Sequence, residues 1–338
     1  MKNKKALLSF FISIFFIIIF SKPTSGQNVK KVSPEELKNW ISYLSSDEMK
    51  GRANGSPEMK IAASWIADKF REYGVKPLLP DGNYLQNYTY TGRGRTIEEK
   101  NVLGIIQGSD PQLKDQYLFI TAHFDHIGIR KGAKPDSICN GADDNAAGTC
   151  TLIAIAKEIF ESGLKPGRTL VFAAFSGEES GTRGSRFFIA NSLVPLENIY
   201  ADINFEMIGH SESFGKNNFY MTGCKQSNLD DVIKTFPDAR KISLIDTVSM
   251  ADQLFYASDN IAFSIISAKD GIMTGIPSGT FATTTMSPYI HTPQDEASLF
   301  DFDNMAELTD YFSRMVVWLS KSHSEIVWTD PKFVRPKK

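Results

Sequence analysis

The chain reads as an α/β protein: a single three-layer αβα domain built on a mainly parallel, mixed central sheet. Two observations predict this. Strand-like segments at 117–122, 169–175 and 199–207 alternate with helix-like segments at 146–160 and 182–191. Strands separated by helices of that length form crossover units, which place strands in parallel and helices on both faces. In addition, no repeat, low-complexity tract or Pro/Gly-rich linker divides the 338 residues, so one catalytic domain over 27–338, with its core at about 33–322, is the simplest organisation.

The elements follow in order. Ser33-Pro34-Glu35-Glu36 supplies an N-cap, a proline at the first helical position and a capping-box glutamate, predicting a helix to about Glu48. Ser56-Pro57 starts a second, in which Ile61, Trp65, Ile66, Phe70 and Tyr73 keep helical spacing until Gly74. Segments 101–106 and 117–122 read as strands, the latter apolar enough to be buried on both faces. Beyond Gly209, 219–222 and 262–267 are strand-like, and 303–320 closes the chain as a helix with Met305, Leu308, Phe312, Met315, Val316 and Leu319 on one stripe.

The first 26 residues are predicted to lie outside this core. Lys2, Lys4 and Lys5 precede an apolar run rich in Phe and Ile, and Thr24-Ser25-Gly26 offers small residues for cleavage, the pattern of a secretory signal peptide. The run is shorter than the ~20 residues that span a bilayer, so no stable membrane insertion is expected after cleavage, and the protein is expected to be secreted or periplasmic. Losing Lys2, Lys4, Lys5 and Lys22 takes the formal charge from −2 to −6, which argues against a nucleic-acid partner. Three cysteines, Cys139, Cys150 and Cys224, leave at least one thiol without an intramolecular partner; Cys139 and Cys150 could pair, though buried cysteines often pack as small hydrophobes. Asn54-Gly-Ser56 and Asn87-Tyr-Thr89 match glycosylation acceptors.

Five segments carry side chains of metal-ligand type: Thr121-Ala-His-Phe-Asp-His126, Asn140-Gly-Ala-Asp-Asp-Asn145, Ser176-Gly-Glu-Glu-Ser180, Asn204-Phe-Glu-Met-Ile-Gly209 and Ile290-His-Thr-Pro-Gln-Asp295. Each falls just after a predicted strand or in the loop beyond one, where open α/β sheets build active sites. His123 and Asp125 are spaced so that a carboxylate can orient a metal-bound imidazole, although His-x-Asp alone equally suits a structural histidine. His126 is left outside the ligand set. Asp143 and Asp144 could simply cap the following helix; alternatively one of them bridges two cations. Glu178 and Glu179 point different ways, so that one can face a metal and the other a water. Asp202, Asn204 and Glu206 share a strand face, and Glu206 is nearest the ligand-bearing edge. His291 stands in a Pro-bounded loop; His210 and His323 read as surface residues. Met207, Ile208, Phe281, Tyr289 and Ile290 either line an apolar pocket or belong to the core.

Taken together, these segments, with Gly51-Arg52, Gly184-Ser185 and Ser258-Asp259, resemble the secreted zinc aminopeptidases of metallopeptidase family 28, over roughly residues 33 to 322. The resemblance implies the zinc exopeptidase (phosphorylase/hydrolase-like) fold and hydrolysis at peptide or protein N-termini. It implies Asp144 as ligand shared by a zinc pair, His123 and Glu206 completing one site, Glu179 and His291 the other, with Glu178 as general base and Asp125 orienting His123. Two departures stand out: Glu206 replaces the aspartate of the usual Asn-x-Asp-Met, and Ile290 replaces the tyrosine that often precedes the last histidine. Two other activities are carried by the same fold: a glutaminyl-peptide cyclotransferase with one zinc, and a noncatalytic peptide-binding protein. The direct run of Glu178-Glu179 into Ser180-Gly181, without an insertion, favours the peptidases.

Overall fold

The computed structural model describes residues 30–92, 94–132, 134–269 and 272–333; the predicted signal peptide lies outside them. Nine strands form one mixed sheet. They are β1 (Lys76–Pro77), β2 (Leu85–Gly92), β3 (Arg95–Ile106), β4 (Tyr117–His123), β5 (Thr169–Phe175), β6 (Ile199–Phe205), β7 (Asn218–Met221), β8 (Ser243–Ile245) and β9 (Ser278–Ala282). Their order is β1-β3-β5-β4-β6-β9-β7-β8, with β2 paired to β3 as a hairpin. The centre, β5-β4-β6-β9, is parallel, and antiparallel pairings flank it at β3/β5 and β9/β7.

Alternation along the central strands divides the core into two layers. On β4 and β5, Leu118, Ile120, Leu170, Phe172 and Ala174 pack with the larger cluster, against helices α1 (Pro34–Leu44), α2 (Pro57–Glu72) and α3 (Gly148–Glu161) and the long C-terminal helix. Phe119, Val171, Ala173 and Phe175 face the opposite way, towards α4 (Arg183–Ala190) and α5 (Asn260–Ser264). The C-terminal helix, α6 (Phe302–Lys321), buries the stripe the sequence predicts. Because a strand shows successive side chains to opposite faces, both faces must be apolar when helices cover both.

The first helix starts as predicted: Ser33 Oγ accepts from the Glu36 amide, and the Glu36 carboxylate accepts from the Ser33 amide. It ends earlier than predicted, giving way at 47–52 to a tight 3₁₀ segment in which Lys50, Gly51 and Arg52 have positive φ. The strand expected at 262–267 is corrected. Asn260–Ser264 is a helical turn burying Ile261, Ala262 and Phe263, and extended structure begins only at Ser267. All three cysteines are free thiols, so Cys139 and Cys150 do not pair. Among the described residues no helix is long and apolar enough to cross a membrane.

Glu158, on α3, is buried among these helices, its Oε1 accepting the Val32 amide at 2.8 Å. Burial pushes its carboxyl up to about 7. A carboxyl with a raised folded-state pKa binds its proton more tightly in the folded chain, so its stabilising contribution is present at low pH and lost as pH rises from about 4 to about 7. Glu158→Gln is therefore expected to be more stable than the parent at pH 8, by up to ~3 kcal/mol. The gain should vanish near pH 4; urea unfolding at both pH values measures it, and a gain independent of pH would contradict it.

Candidate metal centre

The site lies at the C-terminal edge of the parallel strands, where four loops converge. β4 ends in His123, and the loop beyond it carries Asp125 and His126. Thr149 Oγ1 on α3 donates to the His123 carbonyl at 2.7 Å, fixing the strand end against the helix. The segment Ala142–Ala147 enters α3 irregularly, with Asp144 and Asn145 outside helical geometry. Asp295 holds that irregular turn: its carboxylate accepts the amides of Asp143 at 2.8 Å and Asp144 at 3.1 Å. Asn145 Nδ2 donates to the Phe205 carbonyl at 2.9 Å, tying the same turn to the end of β6 and hence to Glu206.

Two donor groups result, and both use Asp144. Its Oδ1 lies 3.4 Å from His123 Nε2, and His123 Nε2 lies 3.9 Å from Glu206 Oε1. Its Oδ2 lies 3.1 Å from His291 Nε2 and 3.6 Å from His126 Nδ1, and both rings stand 3.0 Å from Glu179 Oε1. The five ligands expected from the sequence, His123, Asp144, Glu179, Glu206 and His291, thus come together. His126 joins them, although the sequence reading set it aside. Ligand atoms within each group are all within 4.8 Å of one another.

The residues fit a metal. His123 Nε2, both ring nitrogens of His126 and Glu206 Oε2 are buried without a hydrogen-bond partner among the described residues. Such atoms normally find partners, so their grouping around one space suits a cation. Histidine nitrogens with carboxylate oxygens, three or four to a group, match the ligand preference of zinc. The protonation balance points the same way. Hydrogen bonds to Asp144 and Glu179 raise His291 to about 10. Burial raises Asp144, yet the rings of His123 and His291 beside it outweigh burial and hold the carboxyl well below its ordinary range.

Glu178 and Glu179 occupy a 3₁₀ turn between Gly177 and Gly181, both at positive φ. Asp125 pins this turn: its Oδ1 accepts the Glu178 amide at 3.1 Å, and its Oδ2 accepts the Glu179 amide at 3.2 Å and Asn54 Nδ2 at 2.7 Å. The expected orienting of His123 by the Asp125 carboxylate is therefore shared. His123 Nδ1 lies 3.2 Å from the Asp125 backbone carbonyl and 3.8 Å from the carboxylate. Asn54, a glycosylation match in the sequence, is engaged with Asp125 and Ser180. Burial pushes the Glu178 carboxyl well above its ordinary range, with Glu206, Asp259 and Asp125 adding to the rise against His123.

Asp202 lies deep in the sheet, accepting from Thr121 Oγ1 at 2.9 Å, and is not part of either group. His210 is not a surface residue: it is buried against Phe300, with Nε2 3.8 Å from Asp143 Oδ2. His323 is exposed. Met207 and Ile290 belong to a small apolar cluster with Tyr220 and Ala282, whereas Ile208 and Phe281 belong to the main core. Tyr289 packs near the His210 ring.

Arg52 is the residue whose importance its sequence context least reveals. Fully buried, it donates from Nε to the Phe124 carbonyl, from Nη1 to those of Leu44 and Asn140, and from Nη2 to that of Gly141. It therefore locks together the loop of Asp125 and the loop of Asp144. Arg52→Met would strand these carbonyls in a dry interior, at about 1–3 kcal/mol each before relaxation. A net loss of more than ~3 kcal/mol in urea unfolding is expected, with Arg52→Lys between the two because an ammonium lacks the guanidinium fork. A loss below ~1 kcal/mol for Arg52→Met would overturn this assignment.

Comparison with known proteins agrees with this geometry. Residues 101–316 match the model of "Peptidase family M28". Leucine aminopeptidase 1 of Trichophyton equinum is 22% identical over 316 residues, covering 87% of this chain and 76% of the relative. The probable leucine aminopeptidase of Trichophyton verrucosum is 25% identical over 204 residues, covering 58% and 52%. Among solved structures, LapB from Legionella pneumophila superposes with a TM-score of 0.65 at 18% identity, covering 88% of this chain and 74% of that one. The aminopeptidase from Aneurinibacillus sp. strain AM-1 gives 0.64 at 15% identity, covering 92% and 99%. BSAP, a zinc aminopeptidase from Bacillus subtilis, gives 0.60 at 16%, covering 85% and 95%. With the family model spanning well over half of its length, the chain belongs to peptidase family M28.

Proposed function

We propose that this protein is an exported zinc aminopeptidase, a single catalytic domain that hydrolyses the first peptide bond of peptides and proteins with a co-catalytic zinc pair. The observation that carries the reading is the division of Asp144, whose two oxygens face separate donor groups. A carboxylate so placed would serve two cations at once. A one-zinc cyclotransferase or a noncatalytic binding protein has no need of the second group. The leucine aminopeptidase activity named for the relatives supports the choice of substrate end. The lysine-led apolar run at the N-terminus supports export.

His123, Asp144 and Glu206 would hold one ion, and Asp144, Glu179 and His291 would hold the other, with His126 as an added ligand. Zinc, when bound, supplies Lewis-acid polarisation of the scissile carbonyl and lowers the pKa of water at the site towards ~7. Glu178 accepts the proton of the attacking water and delivers it to the leaving amine. Burial keeps this carboxyl a competent base, and Asp125 fixes the backbone from which it projects. The small apolar cavity beside Glu206, lined by Met207, Tyr220, Leu254 and Ala282, receives the first side chain.

Two measurements test this. Glu178→Gln should lose about 10²–10⁴-fold in kcat on aminoacyl peptides while zinc content, read by elemental analysis, stays at two per chain; full activity would sink the base assignment. His126→Ala should weaken one of the two zincs by about 10–100-fold in chelator competition and spare the other. Unaltered affinity for both ions would remove His126 from the ligand set.

A further inference from the structure

A cavity of about 300 Å³ opens beside His126 and Glu179, on the side of the centre away from Glu206. Its wall carries Asn54, Tyr90, Arg95, Ile97, Ser180 and Arg183. The wall is braced: Tyr90 Oη and Asn54 Nδ2 both donate to Ser180 Oγ, at 3.1 and 3.2 Å. Arg183 Nε donates to the Ser180 carbonyl at 3.0 Å, and its guanidinium lies 5.5 Å from the centre of the Tyr90 ring. Neither Arg95 nor Arg183 has a carboxylate within 4.0 Å among the described residues. Two guanidiniums thus face one cavity without an anionic partner, in a protein whose overall charge is negative.

The charges give the cleft a direction. An aminopeptidase substrate carries an ammonium on its first residue, which the arginine-bearing cavity repels. The first residue therefore belongs beside Glu206 and the small apolar cavity, and the larger cavity receives the residue that follows the scissile bond. We propose that this cavity is the subsite for the second residue and that it selects a carboxylate there. The carboxylate has two sources: the side chain of Asp or Glu at the second position, or the free C-terminus of a dipeptide. Guanidinium groups bind either with paired, charge-assisted hydrogen bonds. The proposal rests on the aminopeptidase reading.

The test uses the zinc-loaded enzyme. A panel of simple aminoacyl amides, which have no second residue, fixes the preferred first residue X. Hydrolysis of none of them overturns the aminopeptidase reading and this proposal with it. Ratios of kcat/KM are then measured for X-Glu-NH₂ against X-Gln-NH₂, and for X-Leu against X-Leu-NH₂. At least one ratio should favour the acid by about tenfold at low salt. The first ratio reports a side-chain carboxylate, the second a chain terminus. In the double variant Arg95→Gln, Arg183→Gln that ratio should fall to about one, and because each ratio is taken within one protein, any general loss of activity cancels. Both parent ratios near one, or a preference that survives in the double variant, would overturn the subsite assignment while leaving the peptidase reading standing.

Discussion

Carboxylates crowd the ends of the central strands more densely than a protein interior tolerates, and the arrangement of the surrounding loops follows from compensating them. Asp125, Asp143, Asp144, Asp259 and Asp295 are all buried. Each buried anion costs several kcal/mol unless a partner offsets it. Backbone amides and hydroxyls supply most of the offset. Asp125 takes the Glu178 and Glu179 amides, Asp295 those of Asp143 and Asp144, Asp143 that of Gly209, and Asp259 the Ser185 hydroxyl. Each of these bonds also positions a loop, so electrostatic necessity and site geometry are met by the same contacts. Arg52 adds a permanent positive charge while closing two of the loops.

What backbone and hydroxyl donors leave uncompensated is concentrated where the imidazoles converge. Asp144 is held ionised by the rings of His123 and His291, whereas burial pushes Asp143 and Glu178 well up and Asp259 up to about 7. Adjacent carboxylates thus take opposite protonation tendencies because their immediate partners differ. Asp143 and Asp144 are neighbours in the chain, yet one is turned to the Gly209 amide and the other to the histidines. Nothing in an Asp-Asp pair by itself distinguishes them; the irregular backbone at Asp144 and Asn145 does.

Two parallel strands were legible because burial on both faces demands unbroken apolar runs, which 117–122 and 169–175 supply, and 199–207 was legible by alternation of apolar residues with Asp202, Asn204 and Glu206. β9 was not, since Ser278–Ala282 is made of small residues, pressed between neighbours where a Cβ on Gly279 would meet the Thr222 carbonyl at 2.4 Å. The turn at Asn260–Ser264 misled for the converse reason: Ile261, Ala262 and Phe263 are buried consecutively in a helical turn too short to show its period. The metal-binding segments were legible as chemistry, and the family resemblance sorted them into two groups. His126 was passed over because spacing alone does not show that the bridge between His126 and Ala53 turns its ring inwards against Gly141. Arg52 acts through carbonyl contacts to loops 72 to 89 residues away, which local sequence cannot encode.

Glu206 shows how strand register links these levels. Pleating sets Asp202, Asn204 and Glu206 on one face, but each meets a different depth of the sheet. Asp202 accepts from Thr121 deep in the sheet and Asn204 donates to Ser258 and Thr280, so only the last of the three emerges at the edge beside the imidazoles. The Glu206 amide still bonds to the Phe281 carbonyl, which keeps its backbone in register with β9 while its side chain leaves the sheet. A glutamate in place of the family's usual aspartate carries the carboxylate one methylene further towards His123 and the cavity of Met207 and Tyr220.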